Sequence, residues 1–127
     1  MTSPSLSVRI EDARDNVSIV SLAGELDLST IPRMEEALRE QISQRPAVLI
    51  DLSELSFIDS SGIGVLVQTF RSADGTPMNV LIRSGSQVER VFGIAGISEA
   101  LPVYFDREAA LVALAEGREK RSNEPTG

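Results

Sequence analysis

Residues 47–70, AVLIDLSELSFIDSSGIGVLVQTF, admit few folds. The run opens with four apolar residues, Ala47, Val48, Leu49 and Ile50, the pattern of a strand buried on both faces. It closes with Ile63, Leu66, Val67 and Phe70 at i, i+3, i+4 and i+7, the spacing of one helical face. Between them sits Asp59-Ser60-Ser61-Gly62, two hydroxyls where the helix must begin. Strand, short polar loop and helix form the unit of an open α/β sheet, and functional residues collect at such loops.

The rest of the chain repeats that alternation. Leu6, Val8 and Ile10 alternate with Ser5, Ser7 and Arg9, which predicts a strand with one wet face. Asp15 and Asn16 suit a turn, and residues 17–23 read as a second strand forming a hairpin with the first. Gly24 either ends that strand or lets the backbone bulge. Ser29 or Thr30 is placed to cap a helix with Pro32 in its first turn, burying Ile31, Met34, Leu38 and Ile42. The central strand is expected over residues 48–52, after Pro46.

Beyond the central helix, residues 74–77 read as a turn and 78–82 as a short strand. A helix follows with Val88, Val91, Phe92 and Ala95 on one face and Gly96 as its stop. Residues 102–105 read as a last strand, and Asp106 as the cap of a helix to about Glu116, with Ala110, Leu111 and Leu114 facing the sheet. The order is β-β-α-β-α-β-α-β-α. It predicts an α/β fold, a mixed but mostly parallel sheet of about five strands flanked by about four helices. One domain is expected over residues 1–116, loose at residues 1–4, with a disordered tail over 117–127, which has no large apolar residue.

Composition narrows the chemistry. Among 127 residues there is no histidine and no cysteine, so the chain lacks a Ser-His-Asp triad, a thiol nucleophile and the commonest transition-metal ligands. The net charge is −7 and aromatic residues make up 4%, which disfavours nucleic acid as a partner. No apolar run approaches the length of a membrane span, and the N-terminus has no signal-peptide pattern. A cytoplasmic protein that binds neither membrane nor nucleic acid is expected. No phosphate-binding P-loop, GxSxG elbow or HExxH motif occurs. Asp27, Asp51, Glu54 and Asp59 are the carboxylates that strand ends would bring towards one place, and a magnesium site is the enzymatic reading of them. Caps and solvated loop residues are the simpler reading. No catalytic residue, cofactor or metal is assigned.

The two serines invite a simple explanation too: a hydroxyl at a helix start commonly caps it. Gly62 and Gly64 do not fit that explanation alone, because each costs on the order of 1 kcal/mol of helix stability relative to alanine. Bare backbone in a first turn leaves room for a partner to approach. A small, polar, accessible first turn suits docking against another protein.

These residues carry a family resemblance. FIDSSGIGVLV, preceded by AVLIDLSEL and further upstream by GELD at residues 24–27, resembles the STAS domain of bacterial anti-sigma factor antagonists. The likeness spans residues 6–115 and includes FGIAGI at 92–97. It implies an unmodified form that binds an anti-sigma factor and so frees the sigma factor. It implies that this partner is also a serine kinase of the histidine-kinase-like ATPase fold. The resemblance further implies that phosphorylation of Ser60 switches binding off and that a metal-dependent PP2C-type phosphatase reverses it. The partner-binding residues it implies are Asp27, Asp59, Ser60, Ser61, Gly62, Ile63 and Gly64, with Ser61 as second candidate acceptor and the protein a monomer or weak dimer. Two alternatives stay open: a STAS scaffold subunit of a larger signalling assembly, and a nucleotide-binding domain using Asp27 and Asp59.

Overall fold

The apolar run at residues 47–50 lies at the centre of a five-stranded sheet. The computed structural model describes residues 5–73 and 75–123. Its elements run β1 (Leu6–Asp12), β2 (Val17–Leu26), α1 (Ile31–Gln44), β3 (Ala47–Ile58), α2 (Ser60–Ser72), β4 (Met78–Leu81), α3 (Gln87–Ala95), β5 (Val103–Tyr104) and α4 (Arg107–Asn123). Single 3-10 turns occupy Arg14–Asn16 and Ile97–Glu99. The strands lie side by side in chain order; β1 is antiparallel to β2, and every other neighbouring pair is parallel. This is the mixed, mostly parallel sheet with four helices that the alternation predicts.

The hairpin closes through Asp15 and Asn16, both left-handed at φ 62° and 60°. Asn and Asp tolerate that region because their short polar side chains bond locally. The register runs from Asp12 opposite Ser18 to Leu6 opposite Gly24. Gly24 does not end β2. It carries the strand through a bulge, with the pairing to β3 slipping between Gly24 and Glu25. Its φ is +109°, and a Cβ there would lie 2.2 Å from the Ser5 carbonyl oxygen. Only glycine meets both demands.

Each parallel crossover steps one strand in the same direction, so right-handed connections leave their helices on one face. Ile31, Met34 and Leu38 of α1, Ile63 and Leu66 of α2, and Val88 and Phe92 of α3 pack there against Val20, Leu22, Val48 and Ile50. The opposite face is covered by α4, whose Ala110, Leu111 and Leu114 meet Val17, Ile19, Ala47, Leu49 and Leu81. Residues 47–50 are buried on both sides for this reason.

Several boundaries differ from expectation. β3 extends to Ile58 because Leu52, Leu55 and Ile58 keep facing the core after the continuous run ends. Ala95, expected on the buried face, is exposed as the last residue of α3, before Gly96, left-handed at φ 65°. Asp106 caps α4 as expected, accepting from the Ala109 amide at 2.9 Å. That helix does not stop near Glu116, and the tail expected to be disordered from Gly117 is helical to Asn123. Arg118, Glu119, Lys120 and Arg121 are strong helix formers, so propensity carries the helix beyond its apolar pattern. Residues 1–4, Asp74 and residues 124–127, where loose ends and part of a turn are expected, lie outside the described residues.

Candidate functional site

The carboxyl ends of β2 and β3 leave the sheet together. Leu26 pairs with Ile58 as their last rung, and the Asp59 amide still donates to the Leu26 carbonyl at 3.4 Å. Asp27 and Asp59 are therefore the first residues past adjacent strand ends. Ser60 begins α2.

Asp59, not either serine, caps α2. Its Oδ1 accepts the Gly62 amide at 3.0 Å and the Ser61 hydroxyl at 2.6 Å. A carboxylate at this place also complements the positive end of the helix dipole. Ser61 is half-buried and tied to the cap rather than being the cap. Ser60 is exposed, and its hydroxyl bonds to no described residue.

Asp27 is organised by the residues after it. Its Oδ1 accepts from the Ser29 amide (3.0 Å), the Ser29 hydroxyl (2.7 Å) and the Thr30 amide (3.2 Å). These bonds favour the ionised carboxyl, the Ser29 hydroxyl most, and hold its pKa below the ordinary value against an opposing effect of burial. Neither Ser29 nor Thr30 caps α1 with its side chain. The Thr30 hydroxyl instead donates back to the Glu25 carbonyl at 2.8 Å, fixing the turn between β2 and α1. The Asp27 carboxylate thus orders the turn that leads into α1, accepting amides that precede the helix.

The two glycines part company. A Cβ on Gly62 would lie 2.9 Å from Ile58 Cγ1 and 3.1 Å from both Leu26 Cγ and the Leu26 carbonyl oxygen. Gly62 thus lets α2 lie close on the strand ends, and it does not open the surface to a partner. Ile63, another expected partner residue, is 8% exposed and belongs to the core. Gly64 differs: it is exposed, with nothing within 4 Å of a Cβ. The outward surface is thus Ser60 and Gly64, beside the partly exposed Asp27, Asp59 and Ser61.

The four carboxylates do not gather. Asp51 and Glu54 line a separate recess with Ser7, Arg9 and Ser21, and Asp51 accepts from the Ser53 amide. Among the described residues, no three such side chains group as a metal site. Gln87 escapes sequence reasoning entirely. Its side-chain amide accepts from the Ile58 amide and donates to the Ile58 carbonyl, each at 2.9 Å. A glutamine at the start of a helix carries no signal of its own; only the fold brings it to β3.

The STAS domain family matches residues 10–110. The chain belongs to that family. An anti-sigma-F factor antagonist, RsfB of Mycobacterium tuberculosis, is 29% identical over 120 residues, covering 93% of this chain and 98% of its own. The crystal structure of an anti-sigma factor antagonist from Mycobacterium paratuberculosis is similar to this STAS chain with a TM-score of 0.78 and 31% identity, over 87% of this chain and 94% of that one. The anti-sigma factor antagonist SpoIIAA shares the STAS fold in its unphosphorylated form, at a TM-score of 0.63 and 24% identity over 81% of this chain and 92% of that one. The phosphorylated form of the Bacillus protein aligns at 0.58 and 24%, over 81% and 96%. Among the described residues of this STAS domain, no helix is long and apolar enough to cross a membrane.

Proposed function

We propose that this STAS domain is an anti-sigma factor antagonist switched by phosphorylation at Ser60. The carrying observation is the state of the loop: Ser60 is exposed with a free hydroxyl, while Ser61 is bonded to Asp59. Two relatives named as antagonists align over most of both chains, which supports the class.

In this reading the unmodified protein docks on an anti-sigma factor through the first turn of α2 and the Asp27 turn, and the sigma factor is released. The partner is also a kinase that transfers the γ-phosphoryl of ATP to the Ser60 oxygen; the hydroxyl proton leaves and ADP departs. A PP2C-type phosphatase hydrolyses the ester. The STAS domain is ligand and substrate in turn, and catalyses neither step.

The charge balance explains how one group reverses binding. Phosphate adds about −1.5 to −2 charges at neutral pH. The N-terminus of α2 accommodates that charge in the free protein, so the fold survives. In a docked interface the phosphate stands beside Asp59, and desolvation strengthens the repulsion. Each 1.4 kcal/mol of it weakens affinity about tenfold.

The test is phosphate mapping by mass spectrometry after incubation with the cognate kinase and ATP. Label is expected on Ser60 and lost in Ser60→Ala. Label that persists undiminished in that variant overturns the assignment.

A further inference from the structure

β3 outruns its neighbour. The β3–β4 ladder ends where Asp51 pairs with Leu81, yet β3 continues to Ile58. Along that stretch the edge facing β4 has no strand to bond, and backbone groups without partners destabilise a partly buried strand. At Ile58, immediately before Asp59, both groups are satisfied by one side chain. The Ile58 amide donates to Gln87 Oε1, and Gln87 Nε2 donates to the Ile58 carbonyl, both at 2.9 Å and partly buried. A primary amide offers the donor and acceptor of a peptide unit. Gln87 therefore serves as a single rung of a missing strand.

Gln87 is itself held in place. It is the first residue of α3, whose cap Ser86 accepts the Glu89 amide at 3.1 Å, while Glu89 accepts the Gly85 amide at 2.7 Å. On the other edge of β3, Leu26 pairs with Ile58 and accepts from the Asp59 amide. Ile58 is thus gripped from both sides, one residue before the cap of α2 and two before Ser60.

We propose that Gln87 is a positioning residue that sets where Ser60 stands at the surface, so that the start of α3 is mechanically linked to the switch. This rests on the reading of Ser60 as the phosphate acceptor, but the grip on the loop can be measured without it.

The experiment compares the wild-type chain with Gln87→Ala and Gln87→Glu. Hydrogen exchange at the Ile58 and Asp59 amides is followed alongside kinase kinetics on each protein as substrate. In Gln87→Ala, exchange at these amides should rise about tenfold, the scale of losing one to two hydrogen bonds. Exchange in the β1–β2 hairpin should not change. The rate of Ser60 phosphorylation should fall about tenfold in kcat/KM on the same scale. Gln87→Glu keeps the acceptor for the Ile58 amide but loses the donor, and should fall between the two.

Unchanged exchange at Ile58 and Asp59 in Gln87→Ala overturns the proposal. So does faster exchange with unaltered phosphorylation kinetics. If wild-type protein takes no phosphate on Ser60, the proposed function fails instead, and the exchange measurement still decides whether Gln87 holds the loop.

Discussion

The hydroxyl of Ser61 donates to Asp59 at 2.6 Å, on the same oxygen that accepts the Gly62 amide. One carboxylate therefore caps α2 and occupies the second serine. The two adjacent hydroxyls of the motif are unequal as a result: Ser60 is available and Ser61 is engaged.

Removing the cap tests that division. Asp59→Ala should destabilise the fold by about 1 kcal/mol, the usual cost of losing an N-cap. Ser61→Ala should cost less, because the Gly62 amide keeps its acceptor. Chemical denaturation of the two single variants and the double variant measures the coupling. Strictly additive effects would show that the Ser61–Asp59 bond contributes nothing.

Gly62 and Gly64 should respond oppositely to alanine. Gly62→Ala drives a methyl group into Ile58 and Leu26, and overpacking of this kind costs about 1–3 kcal/mol. Gly64→Ala meets open space and should raise stability by about 0.5–1 kcal/mol through helix propensity. Thermal unfolding reads both changes. On the proposed docking through the first turn of α2, calorimetry with a candidate anti-sigma factor should show weaker binding for Gly64→Ala in spite of its greater stability.

Acid should reveal the Asp27 turn. Folding lowers the pKa of this carboxyl, chiefly through the Ser29 hydroxyl. The folded state therefore favours the ionised form. Its stabilisation is complete above the unfolded pKa, about 4, and is lost as pH falls through the lower folded value. Between about pH 4 and the folded value, wild type should lose stability more steeply than Asp27→Asn. Parallel slopes in urea titrations across that range would remove the carboxyl from the account.

The bulge at Gly24 should tolerate no side chain. Gly24→Ala combines a positive φ with a contact to the Ser5 carbonyl far inside van der Waals distance, and a drop of more than about 1 kcal/mol is expected. A melting temperature equal to wild type would mean that Ser5 and β1 move aside freely.

Much of this architecture follows from patterns local in the chain. The continuous apolar run at 47–50 announces a strand covered on both faces, and the spacing of Ile63, Leu66, Val67 and Phe70 announces α2. Turn and cap chemistry places Asp15, Asn16, Gly96 and Asp106 correctly, because these preferences depend on nearby backbone alone. The site is legible as a motif for the same reason: DSSG stands between a strand and a helix.

What each residue of that motif does is a matter of tertiary structure. The chain alone cannot say whether a glycine faces a partner or a neighbouring strand, and here Gly62 meets Leu26, distant in sequence. Asp27 and Asp59 are placed together by the Leu26–Ile58 rung, while Asp51 and Glu54 turn to another recess. Gln87 reaches Ile58 only because β4 is short and α3 starts where a strand would have continued. Periodicity and capping are local and can be read from the sequence. Register, strand length and the meeting of distant side chains depend on how the whole sheet closes, and they decide which serine stands free.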